Sequence, residues 1–107
     1  MKPVVLLVGR LPDVIGRLAH DLEDLPVEWL GAHDRAEVAQ QLKAEPGIVA
    51  VIMGGVYDDS LRGELVHEIA SLRPDVTIHM KDRVSGPGGM AGFVRKVVNG
   101  IVQGTES

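Results

Sequence analysis

The residues best suited to chemistry lie in a glycine-rich segment towards the carboxyl-terminal end of the chain. Residues 86–91 read Gly-Pro-Gly-Gly-Met-Ala and fit the pattern G-x-G-x-x-A. In that pattern, glycines let backbone N–H groups approach a phosphate at the start of a helix. A dinucleotide-binding fingerprint follows its strand directly and precedes another strand with an acidic residue, and neither condition is met here. The segment therefore favours a structural turn, with a modest anion site as the alternative.

Basic residues and further glycines accompany this segment at the ends of the predicted strands. Open α/β sheets bind ligands outside the carboxyl ends of their strands, and a phosphate or carboxylate would suit cations beside a helix N-terminus. The candidate ligand-binding residues are Arg10, Gly54, Gly55, Lys81, Arg83, Ser85, Gly86, Gly88 and Gly89. The alternative is that Lys81 and Arg83 pair with nearby aspartates or are simply solvated, as most surface charges are.

Other motifs predict no catalytic or metal-binding residue. His67 and Glu68 begin an H-E-x-x-H zinc motif, but Ser71 stands where the second histidine belongs. His79 lies in a predicted strand and lacks an orienting partner, so we interpret it as a packing residue. The chain has no cysteine, which excludes disulfides and thiolate chemistry. With no nucleophile–base pair and no P-loop, we expect no cofactor and favour a non-enzymatic protein.

The composition is that of one globular domain. Of 107 residues, 45% are hydrophobic and 24% charged, which excludes a disordered chain. We expect a single domain over residues 1–103 and a disordered tail over 104–107. The net charge of −4 gives no basic footprint for nucleic acid or an anionic membrane. The apolar run Val4–Val8 is too short for a signal peptide or a membrane span, so the expected location is the cytoplasm.

Apolar patterning predicts four strands alternating with four helices. Residues 4–8 and 48–53 are continuous apolar runs, typical of strands buried on both faces. Residues 27–30 and 76–80 contain polar positions, and the latter alternate strictly, which indicates edge strands with one buried face. Short crossovers then predict a doubly wound, flavodoxin-like parallel sheet in the order 2-1-3-4, with helices on both faces.

Helix boundaries follow from caps and prolines. The first helix is expected from Pro12 to about Leu25, where Pro26 closes it. Asp34 and Glu37 have the spacing of a capping box at the start of the second helix. The last helix carries a regular apolar stripe over residues 90–101.

From residue 4 to about residue 80, this pattern resembles a response-regulator receiver domain, and more closely a pseudo-receiver. Receivers carry an acidic pair after the first strand, a phosphoacceptor aspartate after the third and a lysine after a fifth strand. Here Gly9-Arg10 follows the first strand and Gly54-Gly55 the third, and the fifth strand is missing. The resemblance therefore implies a receiver-like interaction or regulatory module without phosphorylation chemistry. A binder of a small phosphate- or carboxylate-bearing ligand is the alternative.

The absence of a fifth strand suggests how this protein could associate with other chains. It would leave the fourth strand as an unpaired edge, and such edges associate readily. Besides an unidentified protein partner, the sequence therefore suggests a homodimer through the fourth strand or the last helix, unless a loop covers the edge.

Overall fold

The computed structural model describes residues 2–9, 12–54, 59–81 and 89–106. Along the chain the elements are β1 (Val4–Val8), α1 (Pro12–Asp21), β2 (Glu28–Ala32), α2 (Arg35–Ala44), β3 (Ile48–Met53), α3 (Asp59–Leu72), β4 (Thr77–Met80) and α4 (Met90–Glu106). The strands form one parallel sheet in the order β2-β1-β3-β4. The predicted flavodoxin-like α/β architecture is confirmed.

The two continuous apolar runs are neighbours at the centre of the sheet. All of β1 is buried, and β3 is buried except at Val49. Val4 pairs with Ile48 and Val5 with Ala50, which leaves Val49 as an extra residue in a bulge. Strands of this kind stabilise a fold by excluding water from both of their faces.

Helices cover both faces of the sheet and divide the core into two clusters. On one face, α2 and α3 contribute Val38, Leu42, Leu65 and Ile69. On the other face, α1 and α4 contribute Ile15, Leu18, Val94 and Val98. The last helix therefore packs on the same side of the sheet as the first, and Arg95 of α4 forms an ion pair with Asp24 after α1 at 2.9 Å.

Four elements have boundaries that differ from the sequence prediction, including β4, which begins at Thr77 and not at residue 76. The first helix ends at Asp21, because the next residues form tighter turns in which the Leu25 N–H donates to the Leu22 carbonyl at 3.1 Å. Both leucines nevertheless remain buried. The second strand begins at Glu28 and extends to Ala32. The last helix continues to Glu106, so the backbone of residues 104–106 is helical where a disordered tail was expected.

The predicted cap of α2 is present in part. The Asp34 carboxylate accepts a hydrogen bond from the Glu37 backbone N–H at 2.8 Å, as an N-cap does. The Glu37 side chain, instead of completing a capping box, lies 3.0 Å from Nδ1 of His33.

A single guanidinium ties the end of α3 to the connection between α2 and β3. The terminal nitrogens of Arg73 donate to the carbonyl oxygens of Leu42 (3.2 Å), Glu45 (3.2 Å), Pro46 (3.2 Å) and Ile48 (2.9 Å). Asp75 holds the same guanidinium through two further hydrogen bonds at 3.0 and 2.9 Å. This ion pair lowers the pKa of Asp75 and raises that of Arg73. We call this arrangement the Arg73 clamp.

The fourth strand is the least buried strand of the sheet. The prediction of one fully buried face is wrong, because Ile78 and His79 are half-buried and Thr77 and Met80 are exposed. Ile78 packs against the core cluster that α2 and α3 cover, whereas Met80 is 47% exposed. Within the described ranges, no helix has the length and apolarity needed to cross a membrane.

Candidate functional site

The carboxyl ends of three strands meet along one rim of the sheet. The Gly54 N–H donates to the carbonyl of Val8 at 3.0 Å, and the Lys81 N–H donates to that of Met53 at 3.0 Å. The Gly9 N–H likewise bonds to the last residue of β2 at 3.1 Å. Gly9, Gly54 and Lys81 therefore lie side by side, as the parallel topology predicts. We refer to these three positions as the rim.

Much of the predicted ligand-binding set cannot be assigned a place on this rim. Among the candidates, Gly54, Lys81 and Gly89 belong to the described residues. The other predicted site residues, Arg10, Gly55, Arg83, Ser85, Gly86 and Gly88, lie outside them. The predicted anion site therefore stays a prediction.

The start of α4 lies close to the end of β3. A Cβ atom built on Gly54 would lie 3.9 Å from Cε of Met90, the first residue of α4, and 3.8 Å from the Val8 carbonyl oxygen. Gly89, directly before this helix, is exposed. The first turn of a helix presents unbonded N–H groups, so this packing brings partial positive charge to the rim.

Lys81 is buried, although the sequence placed it in a polar loop. It is 3% exposed and is the one charged residue that counts as buried within the described part of the chain. The alternation of side chains along a strand puts it on the same face as His79, which is the face covered by α1 and α4. Burying a charged group is costly unless polar groups contact it. The buried Lys81 side chain therefore has to interact with polar groups close to the rim.

Arg62 adds a second cation next to the rim, which the sequence analysis did not single out. Its Nη2 donates to the Lys81 carbonyl at 2.6 Å. Its Nε is buried and has no hydrogen-bond partner among the described residues. One arginine on a helix gives no local signal of such a role, because only the tertiary contact between α3 and β4 creates it.

His79 and His67 make local contacts. Nε2 of His79 lies 2.9 Å from Oγ1 of Thr77, and partial burial lowers the pKa of His79. The hydroxyl of Ser71 donates to the backbone carbonyl of His67 at 2.9 Å, as in an ordinary helix. In the described ranges, no group of three or more His, Asp or Glu side chains has the arrangement of a metal site.

Acidic residues are absent from the three rim positions, which are glycine, glycine and lysine. The nearest acidic residue after β3 in the described structure is Asp59, where α3 begins.

Comparison with known proteins supports the fold. No protein-family model matches the sequence, and no curated protein is significantly similar to it. Among solved structures, the chain is similar to the signal receiver domain of an HD domain-containing protein from Pseudomonas fluorescens Pf-5, with a TM-score of 0.65 and 24% sequence identity. The similarity covers 75% of this chain and 63% of that one, so this chain spans less than two thirds of the receiver domain. The chain therefore has a receiver-like α/β fold.

Proposed function

We propose that this protein is a regulatory module that works through protein contacts and carries out no phosphoryl transfer. The observation that supports this most directly is the identity of the rim residues. Forming an aspartyl phosphate requires a carboxylate nucleophile, and the metal that assists it requires oxygen ligands, most often carboxylates. Gly9, Gly54 and Lys81 supply neither.

The position of Asp59 in the sequence supports the same proposal. Asp59 opens α3, one turn or more beyond the last residue of β3. A nucleophile must lie within contact distance of the reacting phosphorus and of the metal ligands. A receiver's phosphoacceptor follows the third strand directly, so we do not expect Asp59, six positions after Met53, to serve as one. The proposed module keeps the receiver-like scaffold, while none of its three rim positions carries a carboxylate.

Phosphoryl donors provide the test. The protein is incubated with Mg²⁺ and acetyl phosphate, or with beryllofluoride, and examined by intact mass spectrometry and by amide NMR spectra. We expect an unchanged mass and no shifts at the rim, while a phosphorylatable receiver domain treated in parallel reacts. A covalent phosphoryl adduct on any aspartate of this chain would refute the proposal.

A second candidate function, a binder of a phosphate- or carboxylate-bearing small molecule, is favoured by the buried cation at the rim. Lys81 is 3% exposed, and Arg62 contacts its carbonyl from the opposite face. A thermal-shift screen with nucleotides and phosphorylated metabolites separates the two functions. A true ligand at 100 times its dissociation constant adds about 2.7 kcal/mol to the free energy of unfolding. Arg83→Ala should abolish that gain if the predicted site is real, whereas the interaction module shows no gain at all.

A further inference from the structure

The outer edge of β4 has no partner strand in the described structure. Since the Lys81 N–H points inwards to Met53, the alternation of backbone groups turns those of Thr77 and His79 inwards as well. The N–H and C=O groups of Ile78 and Met80 therefore point away from the sheet. They form a short row of outward donors and acceptors.

This edge lacks the features that usually prevent strands from associating. Proteins protect exposed edges with charged residues, prolines or bulges. The sequence of β4 is Thr-Ile-His-Met, with none of these, whereas β2 at the opposite edge begins with the exposed charge of Glu28. Met80 is also the one large hydrophobic residue that is classed as exposed in the described ranges.

We propose that β4 pairs with β4 of a second copy of this chain, antiparallel, across a two-fold axis that passes through His79. In this register Ile78 faces Met80 of the second copy, and Met80 faces Ile78. Both are hydrogen-bonded pairs of the antiparallel type, so every outward N–H and C=O of the two strands gains a partner. The two parallel sheets join into one continuous sheet.

The side chains on the α3 face suit this pairing. Ile78 and Met80 lie on the same face as Val51 and Met53, with which they are in register. Val66 is half-buried one helical turn after Arg62, which reaches the end of β4, so it lies on the same side of α3. The twofold axis would place these apolar side chains of both copies together, with cross-strand Ile–Met pairs at the centre.

The uncharged strand is what favours a second copy over a different partner. In the proposed register, His79 faces His79 of the second copy and Ile78 faces Met80. A charged residue at the centre of the strand would therefore face an identical charge, which would oppose association. Thr77 to Met80 carry no such charge, and partial burial keeps His79 neutral near neutral pH. A four-residue strand buries less surface than a stable dimer needs, so the dimer is weak and forms at high concentration.

Two variants at Met80 test the pairing without disturbing the core. Met80 has its N–H on the outer side, so Met80→Pro removes an outward donor and no hydrogen bond to β3. Met80→Ala keeps that donor and serves as the matched control. Light scattering and sedimentation from roughly 10 μM to 1 mM should show the wild type approaching twice the chain mass. We expect Met80→Pro to weaken the dimer at least about tenfold more than Met80→Ala does.

Cross-linking tests the register, since the chain has no cysteine of its own. Across the proposed axis, the two Cα atoms at position 79 are about 4.5 Å apart, within the range of about 4.4–6.8 Å that a disulfide spans. The two Cα atoms at position 77 are about 14 Å apart. H79C should therefore form a covalent dimer under mild oxidation, and T77C should not.

The outcomes decide between clear alternatives. A wild-type protein that stays monomeric at 1 mM, or a dimer that survives Met80→Pro and cross-links equally through H79C and T77C, overturns the proposal. In the second case another surface, such as the last helix, forms the contact. Neither result affects the proposed lack of phosphoryl transfer, which depends on the rim and on the adduct experiment.

Discussion

Replacing Arg73 by alanine should be among the most destabilising changes on the polar surface of this protein. The Arg73 clamp satisfies four backbone carbonyls, and three of these contacts are partly shielded from water. A net contribution of about 0.5–1.5 kcal/mol for each of the three shielded bonds gives a loss of about 1.5–4.5 kcal/mol in the free energy of unfolding. For a domain of this size the melting temperature falls by roughly 8–20 °C.

The control separates the carbonyl contacts from the ion pair. Asp75 is 66% exposed in its side chain, so Asp75→Asn removes an ion pair in water and leaves the four carbonyl contacts in place. Urea unfolding followed by circular dichroism should show only a small change for this variant. Arg73→Lys should fall between the two, because an ammonium group keeps the charge but lacks the planar fork that reaches several carbonyls.

The reasoning fails if Arg73→Ala unfolds within about 1 kcal/mol of the wild type, or if Asp75→Asn is equally destabilised. The first result would mean that water replaces the guanidinium at little cost. The second would mean that the ion pair, and not the carbonyl contacts, stabilises the connection.

Four further changes test the packing, capping and ionisation described above. Gly31→Ala should destabilise by about 1–3 kcal/mol, because its Cβ would lie 2.8 Å from Cγ2 of the β-branched Ile15. Gly63→Ala should instead stabilise by about 1 kcal/mol, since nothing lies within 4 Å of its Cβ position in the middle of α3; chemical denaturation measures both glycine variants. Asp34→Ala should lower stability by about 1 kcal/mol through loss of the N-cap bond, and an unchanged melting curve would contradict that role. Because burial lowers the pKa of His79 in the folded state, the unfolded chain takes up a proton first as the pH falls below about 6.5, and stability drops. In dilute solution the stability of His79→Gln should therefore fall less than that of the wild type between pH 7 and 5, and parallel curves would show that this histidine does not contribute.

The fold could be predicted from local sequence patterns, because the two central strands are identified by the apolar composition of a few consecutive residues. The strands Val4–Val8 and Ile48–Met53 have the predicted bounds, since a run buried on both faces is apolar throughout. The sheet order follows from which strands contain polar residues. Asp34 could be identified because an N-cap contacts a residue three positions away.

The candidate site was harder to predict because its contacts join residues distant in sequence. Lys81 was predicted as a loop cation, whereas it is 3% exposed in the structure. Arg62 lies 19 residues before the carbonyl it contacts, and Arg73 lies 25 to 31 residues after three of its acceptors. A hydropathy pattern contains no information about such pairs.

The position of α4 has a consequence for synthesis of the chain. One half of the core joins the first helix to Val94 and Val98, which leave the ribosome after all four strands. Until then Val5, Leu7 and Ile52 have an incomplete cover on that side. The nascent chain thus presents an incompletely covered apolar face until α4 has been synthesised, and chaperones that recognise such surfaces can bind it during that interval.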